Sequence, residues 1–172
     1  MEEYNIYFND NGDLVRYMMG NEGNKTLLCV GLNPSVASKK KTDQTVSRLK
    51  LWHNSYGYDG WVMYNIYPER GTEPEELPKI MNKKWHERNL KTLENYLSNY
   101  KGEKITILAA WGSLLDKTNY LKPCLKDIYK IAKNYEWKCL YTIADNHPKH
   151  FVGAKHRDEL EVFDIEKYIR KI

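Results

Sequence analysis

The stretch Leu27-Leu28-Cys29-Val30-Gly31-Leu32-Asn33-Pro34-Ser35 is the segment from which the fold can be worked out. A short apolar run bounded by turn residues is typical of a buried central strand in a parallel sheet. Pro34 has no amide hydrogen for a strand ladder and disfavours helix at Asn33, so the strand should end there. Ligands of open α/β sheets bind beside the carboxyl ends of the strands, which makes Asn33 a candidate functional residue.

Three more apolar runs end, like the first, in polar or aromatic residues. They cover residues 61–67, 105–110 and 139–144, and helical periodicity lies between them, at about 44–55, at about 82–100 and after Pro123. This alternation predicts right-handed crossovers and an α/β fold, a three-layer αβα domain with a four-stranded parallel sheet. A last short helix should begin after Asp164.

The amino terminus carries a separate signal. Residues 6–8 and 14–18 flank Asn9-Asp10-Asn11-Gly12, and an Asn-Gly pair between such runs favours a β-hairpin. The 172 residues contain no linker or repeat, so we expect a single domain. Its parts would be an N-terminal hairpin (1–20), a core (26–150) and a carboxyl-terminal segment with the last helix (151–172).

The composition is that of a folded domain with a small excess of positive charge. A formal charge of +4 is compatible with a polyanionic partner but does not require one. Cys29, Cys124 and Cys139 lack metal-binding spacing and indicate reduced thiols in a cytoplasmic protein. No apolar run approaches the ~20 residues of a membrane span, so no membrane association is expected. The sequence also shows no obligate protein partner.

Several functional classes lack their motifs. The chain has no Gly-x-Gly-x-x-Gly, Walker or Gly-x-Ser-x-Gly sequence, which argues against dinucleotide or nucleoside triphosphate binding and against a serine hydrolase. His147, His150 and His156 lie close together in sequence, but no carboxylate or cysteine set completes a metal site around them. We therefore expect no metal and no cofactor.

Each polar strand end has a structural interpretation beside the functional one. Asn33 before Pro34 is often a plain turn residue. Asp43 could cap the following helix or orient a water molecule. Asn65 in an apolar strand must satisfy its amide, either on a neighbouring loop or on a ligand with paired donor and acceptor atoms.

The cationic residues are equally open to two interpretations. Arg48 and Arg70 could pair with acidic neighbours or hold a phosphate. The Lys39-Lys40-Lys41 run could be a solvated loop or the place where a phosphate backbone passes. His147 before Pro148 could simply end the last strand.

The order of motifs resembles the uracil-DNA glycosylase superfamily. Gly31-Leu32-Asn33-Pro34 is similar to its Gly-x-Asn-Pro turn, Asn65 stands where those enzymes have a base-reading Asn, and His147-Pro148 matches their last motif. The resemblance spans roughly residues 26–150. It implies a compact glycosylase-like domain with a four-stranded parallel sheet and an active cleft at the carboxyl ends of its strands.

The chain also resembles an uncharacterised bacterial and phage family, a domain of unknown function. The matching segments are Asn33-Pro34-Ser35-Val36-Ala37, Asp43-Gln44-Thr45-Val46-Ser47-Arg48, Asn65-Ile66-Tyr67, Arg70-Gly71-Thr72-Glu73-Pro74 and Trp111-Gly112. This second match is the more specific of the two.

The glycosylase resemblance implies a hydrolase that cleaves the N-glycosidic bond of a base flipped out of DNA. Asn33 would hold the attacking water with help from Asp43, and His147 would stabilise the departing base. Base contacts would come from Asn65, Tyr67, Trp111 and Ser35. DNA phosphates would be bound by Arg48, Arg70, Lys39, Lys149 and His150.

One departure from the glycosylase pattern affects the expected substrate. Ser35-Val36 replaces the bulky aromatic that follows the proline in ordinary uracil enzymes, so a damaged or modified base is expected rather than uracil. Two other functions remain open. One is a hydrolase or transferase on free nucleosides or nucleotides, and the other is a non-catalytic binder of modified nucleic acid or of a signalling nucleotide.

Overall fold

A computed structural model describes residues 3–35, 37, 42–71, 73 and 76–172. Within these ranges the chain forms seven β-strands and four α-helices. The strands are β1 (Ile6–Asp10), β2 (Val15–Asn21), β3 (Lys25–Gly31), β4 (Gly60–Asn65), β5 (Lys104–Ala109), β6 (Glu136–Cys139) and β7 (Glu161–Val162). The helices are α1 (Gln44–Trp52), α2 (Lys83–Asn99), α3 (Leu121–Ala132) and α4 (Ile165–Lys171).

All seven strands belong to one mixed sheet in the order β1-β2-β4-β3-β5-β6-β7. The pairs β3–β4, β3–β5 and β5–β6 are parallel, whereas β1–β2, β2–β4 and β6–β7 are antiparallel. The prediction of a glycosylase-like domain with a four-stranded parallel sheet is therefore wrong.

The extra strands explain this error. β2 does not stand apart with β1, because it pairs along β4 from Met18 opposite Tyr64 to Asn21 opposite Trp61. At the other edge, β7 from the carboxyl-terminal segment pairs with β6. Both additions satisfy backbone groups that would otherwise lie open at a sheet edge, but the apolar pattern of a strand does not identify its partner.

The last predicted strand is also displaced. The apolar run predicted a strand over residues 139–144, whereas β6 ends at Cys139. The chain turns beyond it, and Asp145 and Asn146 both have positive φ angles of about 60°. A single bridge between Thr142 and Pro148 closes this turn. Residues 140–150 are therefore a loop beside the end of β5.

Alternate residues of β3 face two hydrophobic clusters. Leu28 and Val30 pack in a cluster with residues of α2, α3 and α4, and Leu27 and Cys29 pack in another with Val46 of α1. Because successive strand residues point to opposite faces, the two clusters lie on opposite sides of the sheet. We call the second side the α1 face.

All three cysteines are buried free thiols. Burial raises the pKa of Cys124 and of Cys139 to about 12, so neither is an activated nucleophile at neutral pH. Among the residues that the structure describes, no helix is long and apolar enough to cross a bilayer.

Candidate functional site

A cavity of about 660 Å³ lies where β3, β4 and β5 end, on the α1 face. Its volume falls within the ~300–1,000 Å³ typical of small-molecule sites. Seven of the residues singled out from the sequence line it, namely Asn33, Ser35, Asp43, Asn65, Trp111, Lys149 and His150. The start of α1 and Arg16 complete much of the remaining wall.

Asn65 is the least satisfied side chain in this wall. It is the last residue of β4, lies opposite Gly31 of β3 and is only 1% exposed. Neither its Nδ2 nor its Oδ1 has a hydrogen-bond partner. A buried polar group without a partner costs about 1–3 kcal/mol, so such atoms are uncommon unless a ligand or a water pairs with them.

Gly31 makes room for this amide. A Cβ placed on Gly31 would lie 2.8 Å from Asn65 Oδ1 and 2.6 Å from Met63 Cε. Any side chain at this position would therefore displace the amide from the cavity wall. The backbone of the strand end is held separately, because Asn89 Nδ2 donates to the Asn65 carbonyl at 2.9 Å.

Asn33 is anchored by its amide nitrogen. Its Nδ2 donates to the Gly71 carbonyl at 2.9 Å and to the Pro34 carbonyl at 3.3 Å. Gly71 in turn donates its N–H to the Pro34 carbonyl at 2.9 Å. No described group donates to Asn33 Oδ1, so this oxygen is left as an acceptor that can hold a water molecule.

Arg70 stabilises the loop after β3. Its Nη1 donates to the Ser35 and Ala37 carbonyls, both at 2.7 Å. Its Nη2 donates to Asp13 at 2.9 Å and to the Tyr7 hydroxyl at 3.1 Å. Since both terminal nitrogens are used, Arg70 does not present a free fork to a phosphate, and it does not line the cavity.

Arg48 does not line the cavity. Arg48 Nη1 donates to the carbonyls of Phe151 and Ala154, and its guanidinium lies over the Trp52 ring at 5.7 Å. Arg48 therefore fastens the loop of residues 151–154 to α1. Lys39 lies outside the described residues.

Asp43 caps α1, which is one of the two roles that the sequence left open, and it also lines the cavity. Its Oδ1 accepts the Val46 N–H at 2.9 Å. A carboxylate at this position interacts favourably with the helix dipole. Its second oxygen accepts no hydrogen bond from a described group, so it can serve as a proton acceptor.

His150 is the imidazole of the cavity. Its Nδ1 accepts the Val152 N–H at 3.1 Å, which leaves the proton of the neutral ring on Nε2. Burial lowers the pKa of His150, so the ring is neutral at pH 7. Gly112 allows the chain to lie close to His150, because Gly112 has a φ of +73° and a Cβ there would lie 3.3 Å from the His150 Cβ.

His147 does not line the cavity. Its Nδ1 lies 2.7 Å from the Tyr168 hydroxyl, which also accepts the Trp111 Nε1–H at 3.2 Å. The Trp111 ring is 1% exposed and packs at steep angles against Trp137 and Phe163. The indole is thus a core group, unable to stack on a base although Trp111 contributes to the cavity wall.

Tyr67 is likewise a core residue. It is fully buried in the cluster opposite the α1 face, with its ring centroid 4.9 Å from that of Tyr120. Its hydroxyl accepts the Asn82 N–H at 3.0 Å. Of the four residues expected to contact the base, Asn65 and Ser35 therefore line the cavity with side chains outside the core clusters. The rings of Tyr67 and Trp111 belong to the core.

Sequence reasoning missed Arg16, which lines the cavity although it is 2% exposed. Its Nη1 donates to the Ala37 carbonyl at 2.5 Å, and its Nε has no partner. Burial, reinforced by the nearby Arg70 charge, lowers the pKa of Arg16 to about 10, so it stays protonated at neutral pH. A charged residue within the apolar run Val15-Arg16-Tyr17-Met18-Met19 was the available signal.

Residues 16–151 match the model of a family described as protein of unknown function (DUF1643). The chain belongs to the DUF1643 family. The DUF1643 match contains Arg16, Asn33, Asn65 and His150, and it excludes α4. No curated protein and no solved structure gives a significant match, and nothing in these comparisons shows a relationship to uracil-DNA glycosylases.

The described part of this DUF1643 chain contains no group of three or more His, Cys, Asp or Glu residues that could hold a metal ion. What the cavity offers instead is an amide with paired donor and acceptor atoms, a neutral imidazole, a carboxylate, and the cations Arg16 and Lys149. These groups are suited to hydrogen bonding, proton transfer and anion binding.

Proposed function

We propose that this DUF1643 protein hydrolyses the N-glycosidic bond of a damaged or modified base flipped out of DNA. The observation that carries the proposal is the buried, unpartnered Asn65 amide in the cavity wall. A side-chain amide presents a donor and an acceptor side by side, which matches the donor and acceptor pattern of a nucleobase edge. The cavity volume and the small Ser35 at its wall suit a base larger than uracil.

The reaction requires water to attack C1′ of the sugar while the base departs. The Asn33 Oδ1 would hold the water, and the Asp43 carboxylate would take its proton as the new C1′–O bond forms. The C1′–N bond breaks, and the base leaves with the electron pair. The Nε2–H of His150 would donate to the charge that develops on the base, a role that the glycosylase resemblance implied for His147.

Duplexes that carry a panel of damaged and hypermodified bases test this proposal. After incubation and alkali treatment, strand breaks would reveal abasic sites, and Asn33→Ala should lower their rate of formation by ~10²-fold or more. Asn99→Ala is the control, because Asn99 is exposed on α2 and its side chain donates only to the Asn95 carbonyl. Absence of breaks in every duplex, or equal rates for wild type and Asn33→Ala, would contradict the proposal.

A free nucleoside or nucleotide is a second candidate substrate. It is favoured by the internal hydrogen bonds of Arg48 and Arg70, which remove two of the cations expected to contact a DNA backbone. DNA binding that weakens steeply between low and moderate salt would support DNA as the partner. Thermal stabilisation by a nucleoside without any DNA binding would support the alternative. Ligand binding that requires Asn65 but yields no product would indicate a non-catalytic binder.

We also propose that the protein works in the cytoplasm. Three buried free thiols are compatible with a reducing compartment.

A further inference from the structure

Arg16 is a buried cation that forms no ion pair with the residues that the structure describes. Its side chain is almost completely removed from solvent, and among the described residues no carboxylate lies within ion-pair distance of its guanidinium. Arg70, close by, is paired with Asp13 at 2.9 Å. The single described hydrogen bond of the Arg16 guanidinium goes to a neutral acceptor, the Ala37 carbonyl, and its Nε has no partner.

This arrangement is energetically unfavourable in the unliganded protein. Removing a charge from water costs several kcal/mol unless a counter-charge and hydrogen bonds compensate. Asp43 favours the charged form of Arg16, but only through space, and the neighbouring Arg70 opposes it. An anion in the cavity would supply the missing compensation.

The start of α1 faces the same cavity. Thr42, Asp43, Gln44, Thr45 and Val46 all line it, and α1 is nine residues long. Asp43 Oδ1 is hydrogen-bonded to the Val46 N–H, whereas no described group accepts from the Gln44 and Thr45 N–H groups. Free N–H groups at a helix start, together with the helix dipole, favour a bound anion.

We propose that Arg16 and the first turn of α1 form a subsite for a phosphate ester, within the cavity where the Asn65 amide meets the base. The inference rests on the proposed function for its link to a nucleotide, while the anion subsite itself follows from Arg16 and α1. Lys149, on the same wall, adds a second positive charge. The phosphate would be either the 5′-phosphate of a free nucleotide or the phosphate beside a nucleotide flipped out of DNA.

Thermal unfolding with three probes tests the subsite. The probes are inorganic phosphate, thymidine and thymidine 5′-monophosphate, all at constant ionic strength set with chloride. Wild type should be stabilised by phosphate by about 2 °C or more at saturation, and by the monophosphate more than by thymidine. In Arg16→Met the phosphate response should disappear, and the monophosphate should act no better than thymidine.

The unliganded proteins provide the second readout. If the charge of Arg16 is compensated only when an anion binds, Arg16→Met should melt at or above the wild-type temperature, because an unpaired buried charge has been removed. Arg88→Met is the control, since Arg88 is an exposed residue outside the cavity and should keep the full phosphate response. An Arg16→Met protein that melts well below wild type and still responds fully to phosphate would overturn the subsite.

Two further measurements distinguish failure of the subsite from failure of the proposed function. If Arg16→Met does not fold, Arg16→Lys decides, because loss of the guanidinium fork should weaken phosphate binding several-fold, and an unchanged affinity would refute the proposal. An Arg16-dependent phosphate response without any effect of thymidine would support the subsite and contradict base binding. A single-stranded oligonucleotide that stabilises wild type through Arg16, when the monophosphate does not, would identify DNA as the source of the phosphate.

Discussion

Replacing Asn65 with leucine should stabilise the unliganded protein. Asn65 is 1% exposed and both amide atoms lack partners, so the folded state carries the cost of an unsatisfied buried group, about 1–3 kcal/mol. Leucine has the same branched side-chain skeleton, with two methyl groups in place of the amide oxygen and nitrogen, and carries no polar atom. We expect the free energy of unfolding to rise by about 2 kcal/mol, and a chain of this size gains ~2–4 °C in Tm per kcal/mol.

Urea and thermal unfolding followed by circular dichroism would measure this change, with Asn89→Leu as the matched control. Asn89 is another fully buried asparagine, but its Nδ2 donates to the Asn65 and Ile66 carbonyls. Although Asn89 Oδ1 also lacks a partner, Asn89→Leu should lower stability by about 1 kcal/mol, because two carbonyls lose their donor. Destabilisation by Asn65→Leu of similar size would show that the Asn65 amide has a structural role, and the reasoning would be wrong.

Three other predictions concern neighbouring groups. Asp43→Ala should cost about 1 kcal/mol through loss of the helix cap, whereas Asp43→Asn should keep the cap yet abolish abasic-site formation; full activity of Asp43→Asn would exclude the carboxylate as the base. Tyr168→Phe should destabilise by about 1–3 kcal/mol, because the buried Trp111 N–H loses its acceptor, without slowing the reaction; a large rate loss would instead restore His147 as a catalytic candidate. Burial lowers the pKa of His150, so the unfolded chain binds this proton at higher pH and stability should fall as pH drops below about 6.5. His150→Gln should flatten that part of the stability profile, and an unchanged profile would contradict the assignment.

Apolar runs in the sequence were sufficient to locate β3, β4 and β5. They were insufficient for the sheet as a whole, because strand partners are set by contacts between distant segments. β2 reads as half of an isolated hairpin, yet its other edge pairs with β4. The two-residue strand β7 carries no periodic signal of its own.

The candidate site, like the sheet, could be predicted from the sequence only in part. Asn33, Asn65 and Asp43, which were selected from turns and strand ends, line one cavity. The positions of the histidines were harder to predict, since β6 ends at Cys139 and a loop then carries His150 to the cavity, with His147 against Tyr168. The type of a residue and its position along a strand do not determine which group its side chain will hydrogen-bond.

Cationic residues were the weakest part of the sequence prediction. Arg48 and Arg70 are the arginines within the family-like motifs, yet both donate hydrogen bonds to backbone carbonyls. Arg16, in an apolar strand outside any motif, lines the cavity instead. A buried charge in an unfavourable environment is a candidate functional group even when it lies outside any motif.

We propose that this cavity binds a nucleotide through Asn65 and Arg16. A crystal structure of the protein soaked with thymidine 5′-monophosphate would show whether it does. We expect the base edge within about 3 Å of both Asn65 amide atoms, and the phosphate at Arg16 and the first turn of α1. An empty cavity, or a nucleotide bound elsewhere on the protein with the Asn65 amide paired to ordered water, would contradict it.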